Sequence, residues 1–197
     1  MSELEKEKDC VSLKEDKALF ITLHLNAKLQ PVDRGDIYED SLGDLLEEIQ
    51  LGYVDGGGTL LSKTGEVENC DVEIVLNRRE DIDKLTEIVN AMRVPKGSSL
   101  QIQEGEDIAV GNLEGMAIYF NGTELPPEVY ETCDINYAIS EIESLLDDKG
   151  AMYSYWEGPE DTAVYFYGES FKEMEKAVQS FTGTYPLCEK CRIIQIA

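Results

Sequence analysis

The chain has 197 residues, 42% of them apolar and 8% aromatic, and its 17 basic residues against 41 acidic ones leave a net charge of −24. That much apolar matter excludes wholesale disorder. The charge speaks against binding to nucleic acid or to an anionic membrane surface, both of which are held by Lys and Arg.

Residues 1–17 alternate acids with lysines and contain no hydrophobic stretch, so they are expected to form a disordered lead and not a secretory signal. No apolar run anywhere approaches the roughly 20 residues of a membrane-spanning helix. The five cysteines, Cys10, Cys70, Cys133, Cys188 and Cys191, are odd in number and thinly spread. They read as reduced thiols of a cytoplasmic protein.

From Ala18 onward the chain repeats itself. A strand over 18–26 opens the first copy, and a strand over 116–121 opens the second. Each runs into a connection bearing Leu-x-Pro and then Tyr-Glu: Leu29, Pro31, Tyr38 and Glu39 in one, Leu125, Pro127, Tyr130 and Glu131 in the other. Helical stripes follow, Leu42, Leu45, Leu46 and Ile49 matching Ile139, Ile142, Leu145 and Leu146. Ser41 with Asp44, and Asp134 or Asn136, are expected N-caps, and Gly52 and Gly150 are expected to end these helices.

A strand pair comes next, 53–61 with 70–76 and 152–156 with 162–167. The second helices repeat one spacing, Ile82, Leu85, Val89 and Met92 against Phe171, Met174, Val178 and Phe181. Strands at 99–103 and 191–196 close the copies, and 104–115 reads as a linker. The fold class is therefore α+β: two tandem βαββαβ units, residues 18–103 and 116–197, each an antiparallel sheet with two helices on one face. This pattern is similar to the ferredoxin-like arrangement, which hosts many unrelated activities and so fixes none.

The conspicuous motifs have structural readings. Gly56-Gly57-Gly58-Thr59 lacks the spacing of a phosphate loop and precedes a strand, so a bulge or close strand packing is expected there. Its alternative role is ligand binding in a cleft between the two copies, which would make the chain a regulatory small-molecule-binding module. The single Cys188-x-x-Cys191 lies between the last helix and the last strand, away from the helix N-terminus that favours a redox thiolate, and has no second pair to complete a zinc site. No cofactor or metal is expected. His24, the one histidine, alternates with apolar residues and is expected to be a partly buried packing residue, which leaves catalytic triads without a base.

Charge is uneven between the copies. Residues 18–103 hold 16 acids and 8 bases, whereas 104–197 hold 19 and 5. By topology the second copy gathers Glu124, Glu128, Glu131 and Asp134 at the same end as Glu157, Glu160 and Asp161, with Tyr155 and Trp156 nearby as anchors. The expectation is a non-enzymatic binding protein that neutralises a basic protein partner, as an immunity or inhibitor protein does with a toxin such as a nuclease.

Overall fold

The computed structural model describes residues 18–103 and 105–197. The expected lead at 1–17 lies outside the described residues.

The first unit begins with β1 (Leu19–Leu25) and continues through α1 (Pro31–Arg34), a π-helical stretch (Gly35–Glu39) and α2 (Asp40–Glu48). Strands β2 (Gly52–Leu61) and β3 (Val67–Leu76) follow, then α3 (Ile82–Ala91), β4 (Ser98–Ile102) and β5 (Ile108–Val110). The second unit runs β6 (Glu114–Asn121), α4 (Pro127–Thr132), α5 (Ile135–Leu146), β7 (Gly150–Glu157), β8 (Asp161–Gly168), α6 (Phe171–Thr182) and β9 (Arg192–Gln195). The sheets are ordered β2-β3-β1-β4-β5 and β7-β8-β6-β9, and every pairing is antiparallel. Both units thus share one strand order, the ferredoxin-like one.

Several local expectations change. The connection through Pro31 and Tyr38 is helical: Pro31 supplies a fixed φ at the first turn, and the chain stays helical to Glu48 without a break at Ser41. The π-helical stretch adds a residue to the ladder, and Tyr38, Leu42 and Leu46 then follow one another on the buried face. Asp134 does cap α5, accepting from Asn136 N at 2.8 Å.

Gly52 and Gly150 do not end helices. The left-handed turns fall on Gln50 (φ 57°) and Asp147 (φ 49°), while both glycines start strands. A Cβ on Gly52 would stand 2.1 Å from the Val75 carbonyl oxygen, and one on Gly150 2.5 Å from Met174 Sδ. The stretch read as a linker contributes β5, which extends the first sheet beyond β4.

In the first unit Ile21, Leu23 and Leu25 face Leu42, Leu46, Leu85 and Val89. In the second, Ile118, Phe120, Val164 and Phe166 face Ala138, Ile142, Met174 and Val178. The second sheet is covered on its other face as well. Ala117, Tyr119, Trp156, Ala163, Tyr165 and Tyr167 join the first unit's core. That double cover explains why 115–120 is an unbroken buried run instead of an alternating one. Among the described residues no helix is long and apolar enough to cross a membrane.

Candidate functional site

Alternation of chain direction brings three connections of each unit to one end: the first strand–helix connection, the turn of the central hairpin, and the approach to the last strand. In the first unit this end is docked against the helix-free face of the second sheet. Lys28 N donates to Tyr167 Oη at 2.9 Å, and Gln30 N donates to Ser154 Oγ at 3.1 Å. Ser154 Oγ in turn donates to Asp33 Oδ2 at 2.5 Å.

Glu66, in the hairpin turn, is the centre of this contact. Its Oε1 accepts from Lys28 Nζ at 2.8 Å, Tyr119 Oη at 2.5 Å and Tyr165 Oη at 2.9 Å. Burial works to raise the Glu66 carboxyl, but these three donors and the Lys28 charge overcome it and hold the group below its ordinary range. Burial and the facing carboxylate push both tyrosine hydroxyls upward, so they remain donors. At the third connection, Lys96 pairs with Glu114 at 2.7 Å and Arg93 with Glu169 at 3.3 Å.

The equivalent end of the second unit is free and acidic. The connections converge as expected: Gly122 N donates to Glu160 O at 2.7 Å, and Lys190 Nζ reaches both the Glu124 carbonyl and its carboxylate at 3.2 Å. Arg192 pairs with Asp161 at 2.7 Å. Those two bases are therefore engaged, while Glu128, Glu131, Asp134, Glu157 and Glu160 stand exposed. Glu128 and Glu131 lie on α4, opened by Pro127 at its first turn.

The two expected anchors part company. Tyr155 is 49% exposed, on the edge strand β7. Trp156 is 9% exposed and sits on the opposite face, in the core shared by both units. It lies over its own turn so closely that a Cβ on Gly158 would meet its ring at 2.0 Å. Its expected place as a surface anchor is corrected by strand alternation, which puts it on the Tyr165 face of the sheet.

An aromatic group the sequence reading missed borders the acids. Tyr137, on α5, packs its ring 5.5 Å from Tyr185 and 6.2 Å from Phe181, and Tyr137 remains 52% exposed. The hydroxyl of Tyr185 accepts from Asp134 N at 3.0 Å, which ties this cluster to the acidic end. The available signal was Tyr137's position between the stripe residues of its helix. A cleft of about 210 Å³ beside α4, lined by Tyr130, Cys133, Ile135 and Leu187 among others, opens at the same end.

The glycine run does not join any of this. Register shifts at a bulge between Val54 and Gly56, and Gly56 takes φ 138°. The buried Arg34 guanidinium bonds Glu39, Thr59 Oγ1 and, at 2.8 Å, the Gly58 carbonyl. A Cβ on Gly57 would stand 2.5 Å from Asp71 O and 3.0 Å from Arg34 Nε. The run makes room for an ion pair. A cleft of about 160 Å³ does lie at the seam, between Arg93, Asp147, Lys149, Tyr153 and Tyr167, but Gly56–Thr59 take no part in its lining.

His24 faces away from the helices on the first sheet's open side and bonds Asp71 at 2.7 Å across the strand pair, with its side chain 30% exposed. Phe20, Thr22, Glu73 and Gln101 share that side by register. Among the described residues no group of three or more His, Cys, Asp or Glu is arranged to hold a metal ion.

No family model and no curated protein match the chain. Among solved structures, the first two RRM domains of yeast poly(U)-binding protein align over 92% of this chain and 99% of theirs, at 11% identity and TM-score 0.27. An anthrone oxidase-like protein aligns over 92% and 91%, at 12% identity and TM-score 0.29. A proposed monooxygenase from Fusobacterium nucleatum aligns over 90% of each chain, at 10% identity and TM-score 0.29. At such distance these proteins' names say nothing of what this chain binds or acts on.

Proposed function

We propose that this chain is a non-enzymatic cytoplasmic binding protein that docks onto a basic protein, as an immunity or inhibitor protein docks onto a toxin such as a nuclease. One observation carries the reading. The end that the first unit uses to dock onto the second is, in the second unit, exposed, strongly acidic and bordered by aromatics. One unit thus spends this end on an internal contact, and the other leaves it open to an external partner.

The physics of such docking has two parts. Exposed acids in the open steer a basic partner and raise the association rate, an effect that salt weakens. Well-packed aromatic side chains then slow dissociation. Tyr137 and Tyr155 meet that need, since both are exposed beside or near the acids. The small cleft next to Tyr130 offers a place for one side chain of the partner.

The test is affinity capture with the full chain from a lysate of its source, followed by assay of the captured protein with and without this chain. A basic partner whose activity falls at stoichiometric ratio is the expected result. Recovery of neutral or acidic partners alone would end the reading.

A further inference from the structure

Cys188-Glu189-Lys190-Cys191 follows the short 3₁₀ turn at Pro186–Cys188, and Cys191 N donates to Cys188 O at 3.0 Å. A four-residue turn closed in this way holds its first and last Cα atoms within about 7 Å. A disulfide spans Cα atoms about 4.4–6.8 Å apart. The backbone therefore already stands near the separation that a bond between the two sulfurs requires. The two thiols also influence each other's ionisation, the proton of Cys188 favouring charge on Cys191.

The two thiols are not equivalent. Cys188 is buried at 3% exposure, packed with Leu187 and Phe120, while Cys191 is only partly covered. The hydrogen bond from Cys188 lowers the Cys191 thiol against the effect of its burial, and the same bond together with burial raises Cys188. A partly covered cysteine favoured as thiolate beside a buried partner is the division of labour that thiol–disulfide exchange uses. Cys70 offers the contrast. It is buried, its thiol is pushed up to about 12 by burial, and its sulfur donates to the Ala27 carbonyl at 3.7 Å with no second cysteine beside it among the described residues.

We propose that Cys188 and Cys191 form a redox couple, a dithiol that closes to a disulfide on meeting a low-molecular-weight disulfide such as glutathione disulfide. The Cys191 thiolate attacks one sulfur of that oxidant, forming a mixed disulfide and expelling one thiolate. The Cys188 thiolate then attacks Cys191 Sγ and expels the second. One protein S–S bond forms and one S–S bond of the oxidant breaks. The two protons leave the cysteines and end on the two released thiolates. The sequence alone spoke against this role, because the pair is remote from a helix N-terminus. Here a second thiol takes the place of the helix end in stabilising the thiolate.

This inference is independent of the docking reading, and so is its test. The full chain is equilibrated in glutathione buffers of increasing oxidation, free thiols are trapped by alkylation, and pairing is mapped by peptide mass spectrometry. The wild-type chain, which needs no substitution, is expected to lose Cys188 and Cys191 together and to show a peptide crosslinked between them. Cys188→Ser is expected to accumulate glutathione on Cys191, while Cys191→Ser takes it up on Cys188 roughly tenfold more slowly or worse. Cys133→Ser should leave the pairing unchanged. Absence of the crosslink in every buffer would overturn the proposal, as would a bond to Cys133 in its place. Equal uptake by the two single variants would overturn the assigned order of attack.

Discussion

The two units place the same three connections at the same end, and use that end in opposite ways. In the first unit it carries Lys28 and Glu66, and it is closed against tyrosines of the second sheet. In the second unit it carries Glu128, Glu131, Glu157 and Glu160, and it is open. The matching residues show how the divergence was made. Leu29 and Leu125 are both buried and Pro31 and Pro127 both open helices, yet Tyr38 is fully buried while Tyr130 is 36% exposed. A buried end is satisfied by a few hydrogen bonds to a partner surface already present. An exposed acidic end has unspent charge.

At the seam between the two units, substitutions should destabilise the fold most. Trp156→Ala removes a buried ring from the shared core and should cost about 3–5 kcal/mol of stability, read from urea unfolding. If Trp156 were a partner anchor instead, unfolding would hardly move and only dissociation of a complex would quicken. Glu66→Ala removes the shared acceptor of Lys28 and two tyrosine hydroxyls, leaving Lys28 the Val67 carbonyl, and should cost about 3 kcal/mol.

The same carboxylate gives the seam a pH signature. Its folded value lies below the unfolded one, so its contribution is present above the unfolded value, about 4.3 for Glu, and is lost as pH falls through the folded one. Glu66→Gln should therefore lose less stability than wild type between pH 5 and the acid transition, in parallel unfolding titrations. Identical slopes would show that Glu66 is not held as described. A smaller effect is expected from Ser154→Ala, which removes the acceptor for Gln30 N and the donor to Asp33. We expect about 1–2 kcal/mol in the same assay.

At the free end the stability effect should be smallest. Reversing Glu157 and Glu160 to Lys touches exposed side chains and should change unfolding by no more than about 0.5 kcal/mol. A large loss would mean that this end, too, is held by internal contacts.

Much of this architecture is legible in the sequence because helix stripes and strand alternation are local. The spacing shared by Leu85, Val89, Met174 and Val178 marks two equivalent helices, and all four are buried. What could not be read is what covers a face. Alternation separates Tyr165 and Tyr167 from Val164 and Phe166, but it does not say that Lys28 and Glu66 lie over the tyrosines. For the same reason Trp156 passed for a surface anchor, and the exposed aromatic cluster at Tyr137 went without a sign. The turns at Gln50 and Asp147 were hidden because a glycine two or three residues further on, Gly52 or Gly150, marks a positive φ more strongly than either residue does. The glycine run was legible as a bend, but the buried Arg34 that fills it stands 24 residues away from Gly58 in sequence.

We propose that the second unit's open acidic end is the docking surface. Association kinetics with the captured basic protein across a salt series separate this end from the rest of the surface. Glu157→Lys with Glu160→Lys should lower the association rate at low salt by about tenfold or more and flatten its salt dependence. Glu47→Lys with Glu48→Lys, the same charge change on the exposed face of α2, should leave both nearly unchanged. An equal loss from the two pairs would overturn this assignment, because binding would then follow the total charge of the chain and not this end of it.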